Sequence, residues 1–176
     1  MNGSKYFSVV YDIQRPPKLS DIDDPQEKIR VRTWNRLIGE FIGKLSTMGT
    51  RINWSVFVLP IKYYDTAKRI VERYTRLFNE IKVRNDIYLL EYAPSSNDIL
   101  RHKIRLQLKL KFENLKEKWE EADSSERRYL LKQLEILREL ARSFGETDLL
   151  NEFTFGGKTL DSVSKSKQLK LEEVFN

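Results

Sequence analysis

The sequence predicts an α+β fold in which strands and helices alternate over the first half of the chain and an all-helical segment follows. Residues 5–13 (KYFSVVYDI) form a nearly continuous run of β-branched and aromatic residues, which is typical of a buried strand. Residues 31–45 and 67–81 carry apolar residues at helical spacing. Residues 85–92 (NDIYLLEY) again have the composition of a strand.

Three residues mark the start of the first helix. Asp24 can accept hydrogen bonds from the first free amides, Pro25 suits the first helical position, and Glu27 has the spacing of a capping box. Between the two helices, residues 50–61 (TRINWSVFVLPI) are strand-like and long enough for two short strands. Dividing them gives the order βαββαβ, which is the ferredoxin-like arrangement.

The second half is predicted to form a helical hairpin and a tail. Its centre is ambiguous, because apolar and polar residues alternate over residues 104–112 as in a strand. The apolar residues also recur at helical spacing as far as Trp119 without a turn residue, which favours a helix. Asp123 and Glu126 then repeat the capping-box spacing. We therefore expect three parts, which are a ferredoxin-like domain (1–93), a helical hairpin (94–146) and a flexible tail (147–176).

Composition excludes several kinds of chemistry. The chain has no cysteine and one histidine, His102, so it has no thiolate nucleophile and no thiolate or multi-histidine metal site. The net charge of +6 favours a polyanionic partner such as DNA or RNA. No apolar run reaches membrane-spanning length, and one third of the residues are charged. We expect a heat-adapted cytoplasmic protein without a membrane partner.

Asp12 is the candidate residue for binding a metal ion. It ends the first strand, where a carboxylate is available to a hard cation, although aspartate is also common at the start of a turn. The strand ends in Tyr11-Asp12, an amphipathic helix follows, and Ser55-Val56-Phe57 comes later. With these motifs in this order, residues 5–92 resemble the small CRISPR-associated endonuclease that partners the spacer-acquisition integrase.

The resemblance implies a ferredoxin-like homodimer. In it, Asp12 and its counterpart in the other protomer would hold Mg²⁺ or Mn²⁺ for phosphodiester cleavage, with Asp12 as the catalytic and metal-binding residue. Tyr11 and Ser55 are weaker candidates for positioning the phosphate. The helical hairpin and the tail have no counterpart in ordinary members, and the loop at residues 14–24 is longer than expected. Some members act as scaffolds without cleaving, so the fold transfers more safely than the activity.

Two groups of basic residues are candidates for binding nucleic acid through its phosphates. One flanks the first helix and the loop after Asp12, and the other lies within residues 101–111, where the sequence has no acidic residue. The alternative is a solvated face of mixed charge. The candidates are Arg15, Lys18, Arg30, Arg32, Arg101, Lys103, Arg105, Lys109 and Lys111.

Residues 168–175 (QLKLEEVF) resemble the interaction motif of the PCNA sliding clamp, which forms one 3₁₀ turn on docking. The resemblance implies that Leu171, Val174 and Phe175 fill an apolar pocket of the clamp and that Gln168 enters a polar one. Val174 departs from the motif, which usually has an aromatic residue there. The alternative is a short helix packed on the protein's own hairpin. A clamp motif also indicates an archaeal or eukaryotic replication setting.

Together these features predict a nucleic-acid-binding protein of DNA replication or repair, tethered to the clamp and acting as a non-catalytic adaptor. The alternative is a metal-dependent endonuclease of DNA repair or CRISPR spacer acquisition. No second acidic residue has a convincing sequence spacing to Asp12, which favours the adaptor unless a dimer supplies the second carboxylate.

Overall fold

The computed structural model describes residues 5–156 and divides into two compact units between Ile104 and Arg105. Short 3₁₀ turns lie at Leu19–Asp21, Ile61–Tyr63 and Pro94–Ser96. The helices and strands, in chain order, are β1 (Tyr6–Ile13), α1 (Pro25–Ser46), β2 (Thr50–Asn53), β3 (Val56–Pro60), α2 (Tyr64–Glu80), β4 (Asn85–Glu91), α3 (Asn97–Glu121), α4 (Ser124–Ser143) and α5 (Leu149–Glu152). The division falls inside α3, on the C-terminal side of the domain boundary predicted at residues 93 and 94.

The first unit contains a four-stranded antiparallel sheet in the order β2-β3-β1-β4. β1 is central, with Val9 paired to Phe57 of β3 on one side and to Leu89 of β4 on the other. Strand order and chain order together are those of the ferredoxin-like βαββαβ arrangement. The predicted α+β class and the division of residues 50–61 into two strands are confirmed.

One face of this sheet packs against α1 and α2. Phe7 and Val9 of β1 are fully buried, and Tyr11 packs edge-to-face on Phe41 of α1 with 5.6 Å between ring centres. Burying a side chain of this size contributes about 1.5–3 kcal/mol to stability. Because alternate residues of a strand share a face, this packing fixes which β1 side chains point away from the helices.

The starts of α1 and α4 show how far the capping predictions hold. Asp24 accepts hydrogen bonds from the amides of Gln26 (3.1 Å) and Glu27 (3.3 Å), as predicted. Glu27 does not complete a capping box, because its carboxylate accepts a bond from Arg30 Nε instead (2.8 Å). The capping box predicted at the start of α4 is complete.

The junction between α1 and β2 requires a glycine. A Cβ atom at Gly49 would lie 2.5 Å from the carbonyl oxygen of Val58 and 2.7 Å from Leu59 Cγ. Any side chain there would therefore push the chain away from β3. Glycine is also common where a helix ends, so the sequence alone does not reveal this packing constraint.

The ambiguous residues 104–112 are helical, as favoured. Their alternating pattern arises because α3 carries apolar residues on two faces. Leu108 and Phe112 are buried, whereas Leu106 and Leu110 are about half exposed on the other side of the helix. Two apolar faces on one helix produce the same every-second-residue pattern as a strand.

The prediction of a flexible tail from residue 147 is wrong for residues 147–156. They include α5, and Phe153 and Phe155 are buried. Phe153 stacks on Phe112 of α3 with 4.9 Å between ring centres, and Phe155 stacks on Trp119 at 4.5 Å. Stacking and burial of these rings outweigh the polar composition of the segment. The remainder of the predicted tail, with the clamp motif at 168–175, lies outside the described residues.

Candidate functional site

An open cleft of about 730 Å³ lies at the end of β1. Its walls come from the end of β1 and the loop after it, from β2 and the turn that follows, from one side of α1, and from Arg84 just before β4. Its charged residues are three arginines and one aspartate, namely Arg15, Arg51, Arg84 and Asp12. The charged side chains of the lining are therefore mainly positive.

Asp12 is exposed and lies directly opposite Asp86 of β4 in the sheet register. Both side chains are on the face away from the helices, because Tyr11 occupies the buried face. Like charges directly opposite on neighbouring strands are destabilising, and a divalent cation relieves such repulsion. Asp86 is not among the residues predicted from sequence, because only the strand register makes it a neighbour of Asp12.

Within residues 5–156, no three His, Cys, Asp or Glu side chains are grouped closely enough to hold a metal ion. The carboxylate pair supplies oxygen ligands of the type that Mg²⁺ and Mn²⁺ prefer. In donor chemistry the pair fits the cation that the family resemblance implies, but one chain contributes only two of the ligands.

Arg51 is fixed at the mouth of the cleft. Its Nη2 donates to the Tyr11 hydroxyl (2.7 Å), and its Nε donates to the carbonyl of Trp54 (3.0 Å). The Tyr11 hydroxyl donates to the same carbonyl at 2.8 Å. Burial raises the pKa of Tyr11 above its usual value of 10.0, although Arg51 opposes the rise. Tyr11 therefore remains a neutral hydroxyl at neutral pH and acts here as an anchor for the β2–β3 turn.

Ser55 also belongs to this turn and lines the cleft. Its carbonyl accepts a hydrogen bond from the amide of Tyr11 at 3.0 Å, which attaches the turn to β1. This main-chain contact has a structural role. By attaching the turn to β1, it places Ser55 in the same cleft as Asp12.

Trp54 precedes Ser55, and its side chain is 82% exposed. The guanidinium carbon of Arg51 lies 5.4 Å from the centre of its indole ring. Trp54 is not among the site residues predicted from sequence. A tryptophan is unusual in a tight turn, where small polar residues prevail. This departure is the sequence feature that could have identified Trp54 as a functional candidate.

Arg15 and Arg84 form the free positive part of the cleft. Gln14, the residue before Arg15, holds Arg84 in place. The amide of Gln14 donates to the carbonyl of Arg84 (3.0 Å), and the amide of Arg84 donates to the Gln14 side chain (3.4 Å). Both side chains are exposed, and neither makes a hydrogen bond or ion pair within residues 5–156. Arg15 was predicted, whereas Arg84 was missed.

The other candidates near the first helix lie outside the cleft lining. Arg30 is occupied, because its guanidinium binds Glu27 and donates to the carbonyl of Ile81 (3.0 Å). Lys18 and Arg32 are exposed. Arg30 thus joins α1 to the end of α2, whereas Lys18 and Arg32 remain available to a partner.

Two members of the second basic group, Arg105 and Lys109, are paired with carboxylates of the same unit. Arg105 binds the buried carboxylate of Glu146 and both oxygens of Asp148 (2.9 and 2.7 Å), and these bonds raise the pKa of Arg105 further above its usual value. Lys109 pairs with Glu152 at 2.9 Å. Lys111 is partly buried, and burial lowers the pKa of its ammonium group.

The remaining two candidates of this group are Arg101 and Lys103, which precede the division of the units. Both side chains are exposed on α3. The acids that neutralise the later cations come from residues 146–152, which the sequence analysis assigned to the end of the hairpin and the tail. The absence of acids within residues 101–111 was therefore a poor guide to free positive charge.

No protein-family model, curated protein or solved structure matches the chain. None of the helices in residues 5–156 is long and apolar enough to cross a membrane. Function is therefore inferred from the geometry of the chain itself.

Proposed function

We propose that the protein binds nucleic acid and that phosphates occupy the cleft at the end of β1. The observation that carries the proposal is the free guanidinium pair of Arg15 and Arg84 beside the ordered Arg51. A guanidinium group can bind two phosphate oxygens at once, and it stays charged at any physiological pH. The net charge of +6 adds a general attraction for polyanions.

A binding titration with a fluorescent oligonucleotide tests this proposal. Arg15→Ala/Arg84→Ala should weaken binding about 10- to 100-fold at about 0.1 M salt, because two phosphate contacts are lost. Arg128→Ala/Lys132→Ala removes the same charge from the exposed surface of α4 and should have little effect. Equal losses in the two variants would mean that net charge, and not the cleft, attracts the nucleic acid.

We further propose that residues 168–175 dock on the PCNA sliding clamp and thereby place the protein in DNA replication or repair. Sequence alone supports this part, through Gln168, Leu171, Val174 and Phe175. A tether of this kind raises the local concentration of the cleft at clamp-encircled DNA without adding a new contact. Calorimetry should show clamp binding by the intact protein and its loss in Phe175→Ala. Unchanged binding by that variant would refute the docking mode.

A metal-dependent endonuclease is the second candidate, and the pairing of Asp12 with Asp86 favours it. When bound, Mg²⁺ or Mn²⁺ would polarise a phosphate and lower the pKa of a water molecule. Asp12 and Asp86 would hold the cation, and the homodimer that the family resemblance implies would bring a second copy of Asp12. Arg15 and Arg84 would bind phosphates of the nucleic acid in either case.

Cleavage assays separate the adaptor from the nuclease. If the protein is a nuclease, Mn²⁺-dependent cleavage should disappear in Asp12→Asn while oligonucleotide binding persists. If it is an adaptor, neither the wild-type protein nor the variant should cleave. Cleavage that survives in Asp12→Asn would exclude Asp12 as the metal ligand.

A further inference from the structure

Trp54 is the most exposed of the large hydrophobic side chains in the described part of the chain, at 82%. Leaving an indole in water forgoes the large stabilisation that its burial would give. The β2–β3 turn does not require it, because turns between antiparallel strands favour asparagine, glycine and aspartate. An exposed aromatic residue at this position therefore points to a ligand.

The backbone of Trp54 is held firmly on both sides. Its amide donates to Asn53 Oδ1 (2.7 Å), and its carbonyl accepts bonds from Tyr11 and Arg51. Arg51 is itself braced, because its guanidinium carbon lies 5.9 Å from the centre of the Tyr11 ring and 5.8 Å from that of Phe57. The turn is thus ordered before any ligand arrives, which lowers the entropy cost of binding.

Trp54 and the free arginines line the same cleft. A planar ring beside guanidinium groups matches a nucleotide, which offers a flat base next to an anionic phosphate. An apolar protein surface would not explain the free positive charge of Arg15 and Arg84. A phosphate-bearing duplex would not explain the indole, because its bases are covered by their neighbours in the stack.

We infer that Trp54 is a stacking surface for an unpaired base and that the cleft therefore prefers single-stranded nucleic acid. This inference rests on the proposed function and names its substrate class. Arg15 and Arg84 supply attraction that single strands and duplexes share, and Trp54 supplies the part that only an unpaired base can use. Stacking on one aromatic side chain changes affinity about 5- to 150-fold.

Fluorescence anisotropy with the full-length protein tests the separate roles of the arginines, which attract phosphates, and of Trp54, which stacks on a base. The probes are a labelled single-stranded oligonucleotide, the same sequence as a duplex, and a single strand of abasic residues that keeps the phosphates. The wild-type protein should bind the single strand about 5- to 150-fold more tightly than the abasic strand. Trp54→Ala should lose this advantage and leave binding to the duplex and the abasic strand unchanged. Trp54→Phe should retain most of it.

Two outcomes would overturn the inference alone. One is that Trp54→Ala binds the single strand as tightly as the wild-type protein does. The other is that Trp54→Ala weakens all three probes equally, because the indole would then not read bases. Thermal unfolding of Trp54→Ala shows whether an equal loss of binding reflects misfolding. Its unfolding temperature should match that of the wild-type protein, because the side chain is exposed. A soluble Trp54→Phe variant that also binds all three probes weakly would overturn the inference without that ambiguity.

The same experiment distinguishes failure of the proposed function from failure of the stacking inference. If the wild-type protein binds none of the probes, nucleic-acid binding itself is refuted. If Arg15→Ala/Arg84→Ala weakens all three probes while Trp54→Ala changes nothing, the proposed function stands and the stacking inference falls.

Discussion

Two pairs of basic residues differ in what surrounds them. Arg15 and Arg84 line a cleft and make no ion pair within residues 5–156. Arg105 and Lys109 are bound to carboxylates from residues 146–152. In the sequence the second group seemed the freer one, because no acid lies within residues 101–111.

This difference shows that the availability of a cation is decided by tertiary structure. Arg15 is close to Asp12 in sequence and yet forms no ion pair with it, whereas Arg105 finds its partners on a distant segment. Arg15 and Arg84 are free to bind a polyanion. Arg105 and Lys109 contribute to the stability of their own unit.

The largest expected effect is on stability, in Arg105→Ala. The carboxylate of Glu146 is 1% exposed, so removing Arg105 takes this ion pair away from a buried charge. The free energy of unfolding should fall by about 3 kcal/mol, measured by chemical denaturation. Arg105→Ala/Glu146→Gln should recover part of the loss. If Arg105→Ala instead weakened nucleic-acid binding without a change in stability, the assignment of Arg105 to a structural role would be wrong.

The next effect concerns Lys111 and pH. Because burial lowers the pKa of Lys111 in the folded protein, the unfolded chain binds the proton more readily between that lowered pKa and the usual value of 10.5. The free energy of unfolding should therefore gain a contribution as pH rises through this interval. Lys111→Met should abolish that contribution and be more stable than the wild-type protein at neutral pH.

Lys116 offers the matched control, since it is an exposed lysine on the same helix. Lys116→Met should preserve the wild-type dependence of stability on pH. The interpretation would be contradicted if the Lys111 and Lys116 variants had the same pH profile.

The smallest expected effect lies beside the cleft. Without added metal, Asp86→Asn should raise the free energy of unfolding by about 0.5 kcal/mol, because it removes a like charge opposite Asp12. The loop residue Asp23 is exposed, and Asp23→Asn serves as control. Added Mg²⁺ should stabilise the wild-type protein more than Asp86→Asn if the pair holds the cation. An equal response in both would count against a metal site.

The sequence predicted the parts of the fold that local patterns encode. The order of residues alone indicated strand β1, the Asp24 cap and the helices α1 and α2. Residues 147–156 were misread because Phe153 and Phe155 stand among polar residues without a helical or strand period. Their burial becomes evident only when Phe112 and Trp119 are brought against them.

The candidate site was predicted less completely, for a physical reason. Asp12 and Arg15 follow one strand and were found by position alone. Asp86 and Arg84 join them through the register of β4 on β1, which no local pattern specifies. Trp54 was overlooked because a single aromatic residue in a strand-rich stretch is usually part of the core.

The most direct test of this account compares the salt dependence of oligonucleotide binding in Arg84→Ala and Lys109→Ala. Each variant loses one positive charge, Arg84→Ala from the cleft and Lys109→Ala from an ion pair between α3 and α5. The slope of log affinity against log salt concentration should fall by about one in Arg84→Ala and remain at the wild-type value in Lys109→Ala. The opposite result would place the nucleic acid on α3 and contradict the assignment of the cleft.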